Sequence, residues 1–193
     1  MRQEYDLILG SKSPRRKFLV DELSLKSSVF EFEVDESYPD HLLASEVPLY
    51  LAELKAKACP LTIQERQVLI TADTVVLLKD RVLGKPKDVD DARNMLTLLS
   101  GETHQVVTGV CLSYRGGCIK FSESTDVTFY RSSNEDVEFY IKQFSPFDKA
   151  GSYGIQDWWG LSKIKAIKGC YYNVMGLPTS KLYRELIKIG ALV

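Results

Sequence analysis

The residues able to do chemistry in this chain fall in a few short stretches. The first is Ser11-Lys12-Ser13-Pro14-Arg15-Arg16-Lys17, where an apolar run ends in a small-residue turn that opens a helix carrying two arginines and a lysine. Ser13 suits the capping position and Pro14 the first helical position. The unpaired amides and the dipole of such a helix start favour negative charge. Hydroxyls from Ser11 and Ser13 and the forks of Arg15 and Arg16 can add hydrogen bonds to phosphate oxygens. Taken alone, the segment fits equally a capped surface helix with solvated arginines.

The second stretch is Asp73, a lone acid within Gln67 to Leu78, an otherwise apolar strand pattern. A carboxylate there costs several kcal/mol unless it binds a cation or a partner, or lies at a sheet edge. The alternative is that the strand stops at Ala72 and Asp73 begins a turn. Asp35 and Glu36 leave an earlier strand pattern and gain meaning only if they fold close to Asp73. Converging carboxylates of that kind can hold Mg2+ or Mn2+ against phosphate oxygens. Lys55 sits near the end of a helical pattern, where lysines are mostly solvated. Lys85, between Gly84 and Pro86, occupies a stiff exposed turn that suits a fixed charge.

Composition limits the partners. The chain has 193 residues, 25 Lys and Arg against 26 Asp and Glu, and a net charge of -1. A broad nucleic-acid face is not expected from that balance. Cys59, Cys111, Cys118 and Cys170 are scattered without a CxxC pair, and His41 and His104 are the only histidines. Neither a zinc site nor a disulfide framework is indicated. No run approaches the roughly 20 apolar residues of a membrane span. A soluble, cytoplasmic protein without nucleic-acid or membrane partners is expected.

These residues must be held by elements whose patterns are readable. Leu7 to Gly10 reads as a buried strand, followed by a helix from Pro14 to Leu23 with Phe18, Leu19 and Leu23 on one face. Val29 to Val34 alternates and predicts a half-exposed strand. A helix beginning near Ser45 carries Leu49, Leu51, Ala52, Leu54 and Ala56. Lys79-Asp80 turns the long strand into a hairpin with Val82-Leu83. Asp88 or Asp90 caps a helix with Ala92, Met95, Leu96 and Leu99, stopped at Gly101. His104 to Tyr114 and Cys118 to Tyr130 form a hairpin about Gly116-Gly117. Ser133 caps a helix over Asn134 to Phe144, with Val137, Tyr140 and Ile141 inward. A glycine-punctuated loop, Asp148 to Gln156, follows, then a strand over Ile164 to Ile167 and a last helix after Gly176-Leu177-Pro178. The alternation predicts an α/β fold with a mixed sheet.

Familiar motifs are missing: the P-loop spacing, the GxGxxG fingerprint and a plausible Cys–His pair are all absent. His104, opening a strand, suits a structural hydrogen-bonding role. Trp158-Trp159 and Tyr171-Tyr172 fit base stacking, core or interface.

Taken together, the segments resemble the Maf family of nucleoside triphosphate pyrophosphatases. The matching blocks are LILGSKSPRRKFL (7–19), VDES (34–37), LAELKAKA (51–58), ITADTVV (70–76), VLGKPKDVDDARNML (82–96), LSGETHQVVTGV (99–110), FDKAGSYGIQ (147–156) and YYNVMGLP (171–178). The resemblance implies one domain over residues 1–193, with the fold of inosine triphosphate pyrophosphatases: an elongated mixed β-sheet flanked by helices in two lobes with a central cleft. It implies hydrolysis of a nucleoside triphosphate between its α and β phosphates, a house-cleaning reaction dependent on a divalent cation. Ser11, Arg15 and Arg16 would hold the triphosphate, Glu36 and Asp73 the metal and attacking water, and Lys55 and Lys85 the phosphates or developing charge. Asp73 is the proton acceptor of the family pattern.

Arg15, Thr74 and Gln156 match the branch that prefers dTTP and UTP rather than the branch that prefers 7-methyl-GTP. A noncatalytic nucleotide-binding regulator linked to cell division is the rival, and the intact Glu36, Lys55, Asp73 and Lys85 argue against it. A homodimer is a family-level expectation. The sequence departs from the family at Gly10, Cys170 and Asp157-Trp158-Trp159, and the last of these places extra bulk and charge beside Gln156.

Overall fold

The computed structural model describes residues 2–193. Its strands are β1 (Asp6–Leu9), β2 (Ser27–Val29), β3 (Gln67–Leu78), β4 (Arg81–Leu83), β5 (Thr103–Tyr114), β6 (Gly117–Phe129) and β7 (Ile164–Lys168). They form one seven-stranded sheet in the order β2-β1-β3-β5-β6-β7, with β4 beside β3. The sheet is mixed. β1 runs parallel to both β2 and β3, whereas β3–β4 and β6–β7 are antiparallel. The helices are α1 (Pro14–Glu22), α2 (Val47–Ala58), α3 (Val89–Leu99), α4 (Asn134–Phe144), α5 (Trp158–Lys163), α6 (Tyr171–Val174) and α7 (Thr179–Lys188).

The chain divides into two compact units. One comprises the chain up to Asp73, Thr108–Glu123 and Gly176–Val193; the other comprises Thr74–Val107 and Ser124–Met175. In the first unit, Leu7, Leu9, Leu19, Val20, Leu51, Ala52, Val68 and Ile70 are buried. α2 packs closely there: the Thr71 hydroxyl donates to the Ala52 carbonyl at 2.7 Å. At Gly109 on β5, an added Cβ would stand 2.3 Å from the Leu49 backbone nitrogen, so only a glycine lets the helix approach. In the second unit, Trp159, Tyr140, Phe129, Leu96 and Leu99 are among the largest fully buried side chains.

Cap chemistry explains the two helices whose starts were most readable. Asp88 accepts from the Asp91 amide at 2.8 Å, and Ser133 forms a reciprocal capping box with Asp136. Gly101 follows α3 with a φ of +77°, the left-handed conformation that terminates helices.

Four expectations change. The strand expected over Val29 to Val34 lies instead at Ser27–Val29, sharing only Val29 with the expected range, because it pairs with Leu7 to Leu9 of β1 and β1 ends there; the last bond runs from the Phe30 amide to the Leu9 carbonyl at 3.0 Å. Of the face expected from Phe18, Leu19 and Leu23, only Leu19 is buried: Phe18 is 52% exposed, Leu23 is half-buried, and Val20 joins Leu19 in the core. Ser13 stands at the N-cap in extended conformation, but its side chain makes no cap bond. The short helices α5 and α6 were not foreseen, since six and four residues are too few to show a 3.6-residue period.

Candidate active site

The first unit gathers a compact set of charges. Asp73 lies on β3 where the buried run opens: Val68 to Ala72 and Val75 to Leu77 are buried, while Asp73 and Thr74 are half-buried. β3 therefore continues past Ala72, and Asp73 is a strand residue rather than the start of a turn. Lys55, in the last turn of α2, places its ammonium 2.6 Å from Asp73 Oδ1 and 2.9 Å from Glu36 Oε1. The Lys55 and Asp73 side chains are only 14% and 13% exposed, so this pair is shielded; Glu36, at 47%, reaches in from solvent. Asp35 stays outside the cluster and accepts from the Ser37 amide at 3.0 Å, an Asx-type turn that shapes the Glu36 loop.

The helix-start segment supplies the opposite charge. Arg16 Nε donates to the Gly176 carbonyl at 2.9 Å, and its Nη1 donates to Ser11 Oγ at 3.2 Å. Ser11 Oγ also accepts from the Ser13 amide at 3.2 Å, which takes over part of the role expected of the Ser13 hydroxyl. Burial lowers the Arg16 pKa, with Asp73 and Glu36 pulling it up and Arg15 pushing it down. Arg15, Glu36 and Asp73 thus lie within electrostatic reach of Arg16. Lys12 is turned away and pairs with Glu33 at the surface. The structure therefore brings together Ser11, Arg15, Arg16, Glu36, Lys55 and Asp73. Their formal charge is three cations against two carboxylates, a net +1 that suits a polyanion.

The second unit holds the other expected residues. Thr74 is half-buried on β3, and Lys85 is exposed on the turn after β4. That turn is tied to the glycine loop, since Gly84 accepts from the Gly151 amide at 3.0 Å. Gly151 has a φ of +66° and packs on Val76, whose Cγ2 would lie 2.9 Å from an added Cβ. Gln156 follows, half-buried, with its Oε1 buried and lacking a hydrogen-bond partner. His104 is structural, as expected: its Nε2 lies 2.7 Å from the Tyr153 hydroxyl, and burial lowers its pKa to about 4.

Two contributors were not singled out in the sequence. The Gly176 carbonyl anchors Arg16 from 160 residues away, which no local pattern can signal. Tyr140 was read only as an inward residue, yet its hydroxyl accepts from the Gly154 amide at 3.0 Å. The available signal was a tyrosine at a core position, because a buried phenol requires a partner.

Among the described residues, no group of three or more His, Cys, Asp or Glu side chains is placed to hold a metal ion. Glu36 and Asp73, joined through Lys55, are two hard oxygen donors. That set matches Mg2+ or Mn2+ when phosphate oxygens and water complete the shell. No helix among the described residues is long and apolar enough to cross a membrane.

A family model described as Maf-like protein matches residues 6–189. A protein of Phocaeicola vulgatus named dTTP/UTP pyrophosphatase is 50% identical over 188 residues, covering 97% of each chain. One of the same name from Porphyromonas gingivalis is 47% identical over 191 residues, covering 97% of this chain and 96% of the relative. Among solved structures, the Ham1 protein of Staphylococcus aureus aligns with a TM-score of 0.52 at 14% identity, over 96% of this chain and 99% of that one, which shows a shared fold.

Proposed function

The chain belongs to the Maf-like family, and from that premise we propose that it is a nucleoside triphosphate pyrophosphatase acting on dTTP and UTP. It hydrolyses the bond between the α and β phosphates, releasing the nucleoside monophosphate and pyrophosphate. The observation that carries the reading is the Lys55 ammonium held between Asp73 and Glu36, with Arg16 in electrostatic reach of both carboxylates.

Arg15, Arg16 and Ser11 bind the triphosphate; the arginine forks and the start of α1 match phosphate oxygens in geometry and sign. Lys55 and Lys85 offset the negative charge that builds on the phosphates as the bond breaks. Asp73 accepts the proton of the attacking water, and Glu36 with Asp73 would hold the divalent cation. Such a cation, Mg2+ or Mn2+, supplies Lewis-acid polarisation of the phosphates. Thr74 and Gln156 contact the base, with Arg15 the third residue of the pyrimidine-type set. The cytoplasm, where nucleotides are made and used, is the compartment this activity suits.

The test is product analysis with Mg2+ or Mn2+ on dTTP, UTP and 7-methyl-GTP. Pyrophosphate release from dTTP and UTP is expected, and release of orthophosphate alone, or of nothing, would overturn the reaction class. Faster turnover of 7-methyl-GTP would reassign the substrate. Asp73→Asn is expected to lower kcat by about 10²-fold or more, with the melting temperature confirming that the variant folds.

A further inference from the structure

The turn that carries Gln156 is fastened at both ends by one hydroxyl. The Asp157 amide donates to the Gly154 carbonyl at 3.1 Å, closing a four-residue turn with Gln156 in its third position. The Tyr140 hydroxyl, on α4, accepts from the Gly154 amide at 3.0 Å and donates to Asp157 Oδ2 at 3.1 Å. The Asp157 carboxylate folds so closely over Gly154 that an added Cβ there would stand 2.3 Å from Oδ2. Lys149 closes the set, with its ammonium 3.6 Å from Asp157 Oδ2 and 2.8 Å from Asp148 Oδ1.

This clasp is shielded from water. Tyr140 is fully buried, and the side chains of Lys149 and Asp157 are 12% and 18% exposed. Burial raises the Tyr140 phenol pKa far above its usual range, so the hydroxyl remains a donor at neutral pH. The neighbouring tryptophans are committed to packing. Trp159 is fully buried against Tyr140 and Phe129, and Trp158 lies 4.9 Å from the Phe139 ring with Lys163 over its face. What distinguishes the turn chemically is therefore the Asp157 carboxylate. Beside it, the Gln156 Oε1 is a buried acceptor without a donor. An imide N–H of a ligand would satisfy it.

We propose that Asp157, acting through Tyr140 and Lys149, is a positioning residue that fixes the Gln156 amide for the hydrogen-bonding edge of a uracil or thymine and so sets discrimination between bases. The proposal rests on the reading of Gln156 as a base contact. It separates the departure at Asp157 from bulk: the carboxylate organises the turn instead of filling space.

The experiment measures kcat and KM on dTTP and CTP for the wild type, Tyr140→Phe, Asp157→Ala, Asp157→Asn and Gln156→Ala, with melting temperatures for each. Tyr140→Phe and Asp157→Ala are expected to lower the dTTP-to-CTP ratio of kcat/KM about tenfold, the loss of roughly one well-placed hydrogen bond. The change should enter through KM on dTTP, with kcat within about threefold of the wild type. Asp157→Asn keeps an acceptor for Tyr140 and should retain most of the discrimination. If Gln156→Ala collapses the ratio while folded Tyr140→Phe and Asp157→Ala leave it within about twofold, the clasp proposal fails and the base contact stands. If Gln156→Ala itself leaves the ratio unchanged, the base contact falls and the proposal falls with it. Should Tyr140→Phe not fold, Asp157→Ala decides.

Discussion

Arg16 uses its planar fork in two directions at once, to the Gly176 carbonyl through Nε and to Ser11 Oγ through Nη1. A lysine carries the same charge on a single ammonium and cannot reproduce that fixed geometry. Arg16→Lys is therefore expected to lower kcat/KM on dTTP by about tenfold or more. Steady-state kinetics at constant ionic strength would check it, and a loss under about twofold would mean that charge alone suffices. Three residues of this charge cluster stand out as candidates because each breaks a local rule: Asp73 interrupts an apolar strand, and Arg15 and Arg16 crowd a helix start. Lys55 had no such signal, since a lysine in the last turn of a helix is ordinary, and only the family resemblance singled it out. Tyr140 and the Gly176 carbonyl were not readable as site components. Their partners lie 14 and 160 residues away, and the bonds exist only once the chain has folded.

The element that matters most to the cluster is α2, because its last turn carries Lys55 and its first turn sits against Gly109 of β5. An alanine at Gly109 would place its Cβ 2.3 Å from the Leu49 nitrogen and 2.4 Å from the Pro48 carbonyl carbon, and backbone cannot yield as a flexible side chain can. Gly109→Ala is thus expected to cost about 1–3 kcal/mol or more in stability and to reduce turnover by shifting Lys55 from Asp73. A denaturant midpoint and kcat measured together would show both effects; unchanged values in both would refute the close packing. Elements with strong boundary chemistry were legible at this scale. Asp88, Ser133 and Gly101 bound α3 and α4 where the sequence places them. β2 was placed too late and drawn too long, because Ser27 and Ser28 carry no strand pattern while alternation from Val29 to Val34 continues after β1 has run out of backbone to pair with. Pattern reads a strand's faces, while its length depends on the partner.

Across the molecule, 26 acidic and 25 basic residues nearly cancel at pH 7, so until the carboxylates begin to protonate, acid sensitivity depends on a few displaced groups rather than on net charge. His104 is buried against Phe129 and Tyr153, and burial lowers its pKa from 6.5 to about 4. The unfolded chain then binds a proton at this residue at a pH where the folded chain does not. Stability is accordingly whole above pH 6.5, falls as pH drops toward 4, and has lost about 3 kcal/mol at the lower limit, from 1.36 kcal/mol per pKa unit. Glu53 and Asp136 act lower in pH. Lys57 and Lys120 hold the Glu53 pKa below 4.5, and Lys163 with the Ser133 amide holds that of Asp136 below 3.8. Their contributions are present above those unfolded values and disappear only as pH falls through the folded ones. The interval between about pH 6.5 and 4.5 therefore isolates His104 among these groups. Trp158 and Trp159, the only tryptophans, lie in the same compact unit as His104, so their fluorescence follows the relevant unfolding. Urea midpoints read this way should hold from pH 7.5 to about 6.5 and fall steadily from there to pH 5 in the wild type. His104→Gln, which cannot titrate but keeps a hydrogen-bonding group for Tyr153, should vary little over the same range. A slope shared by both proteins would place the acid sensitivity elsewhere.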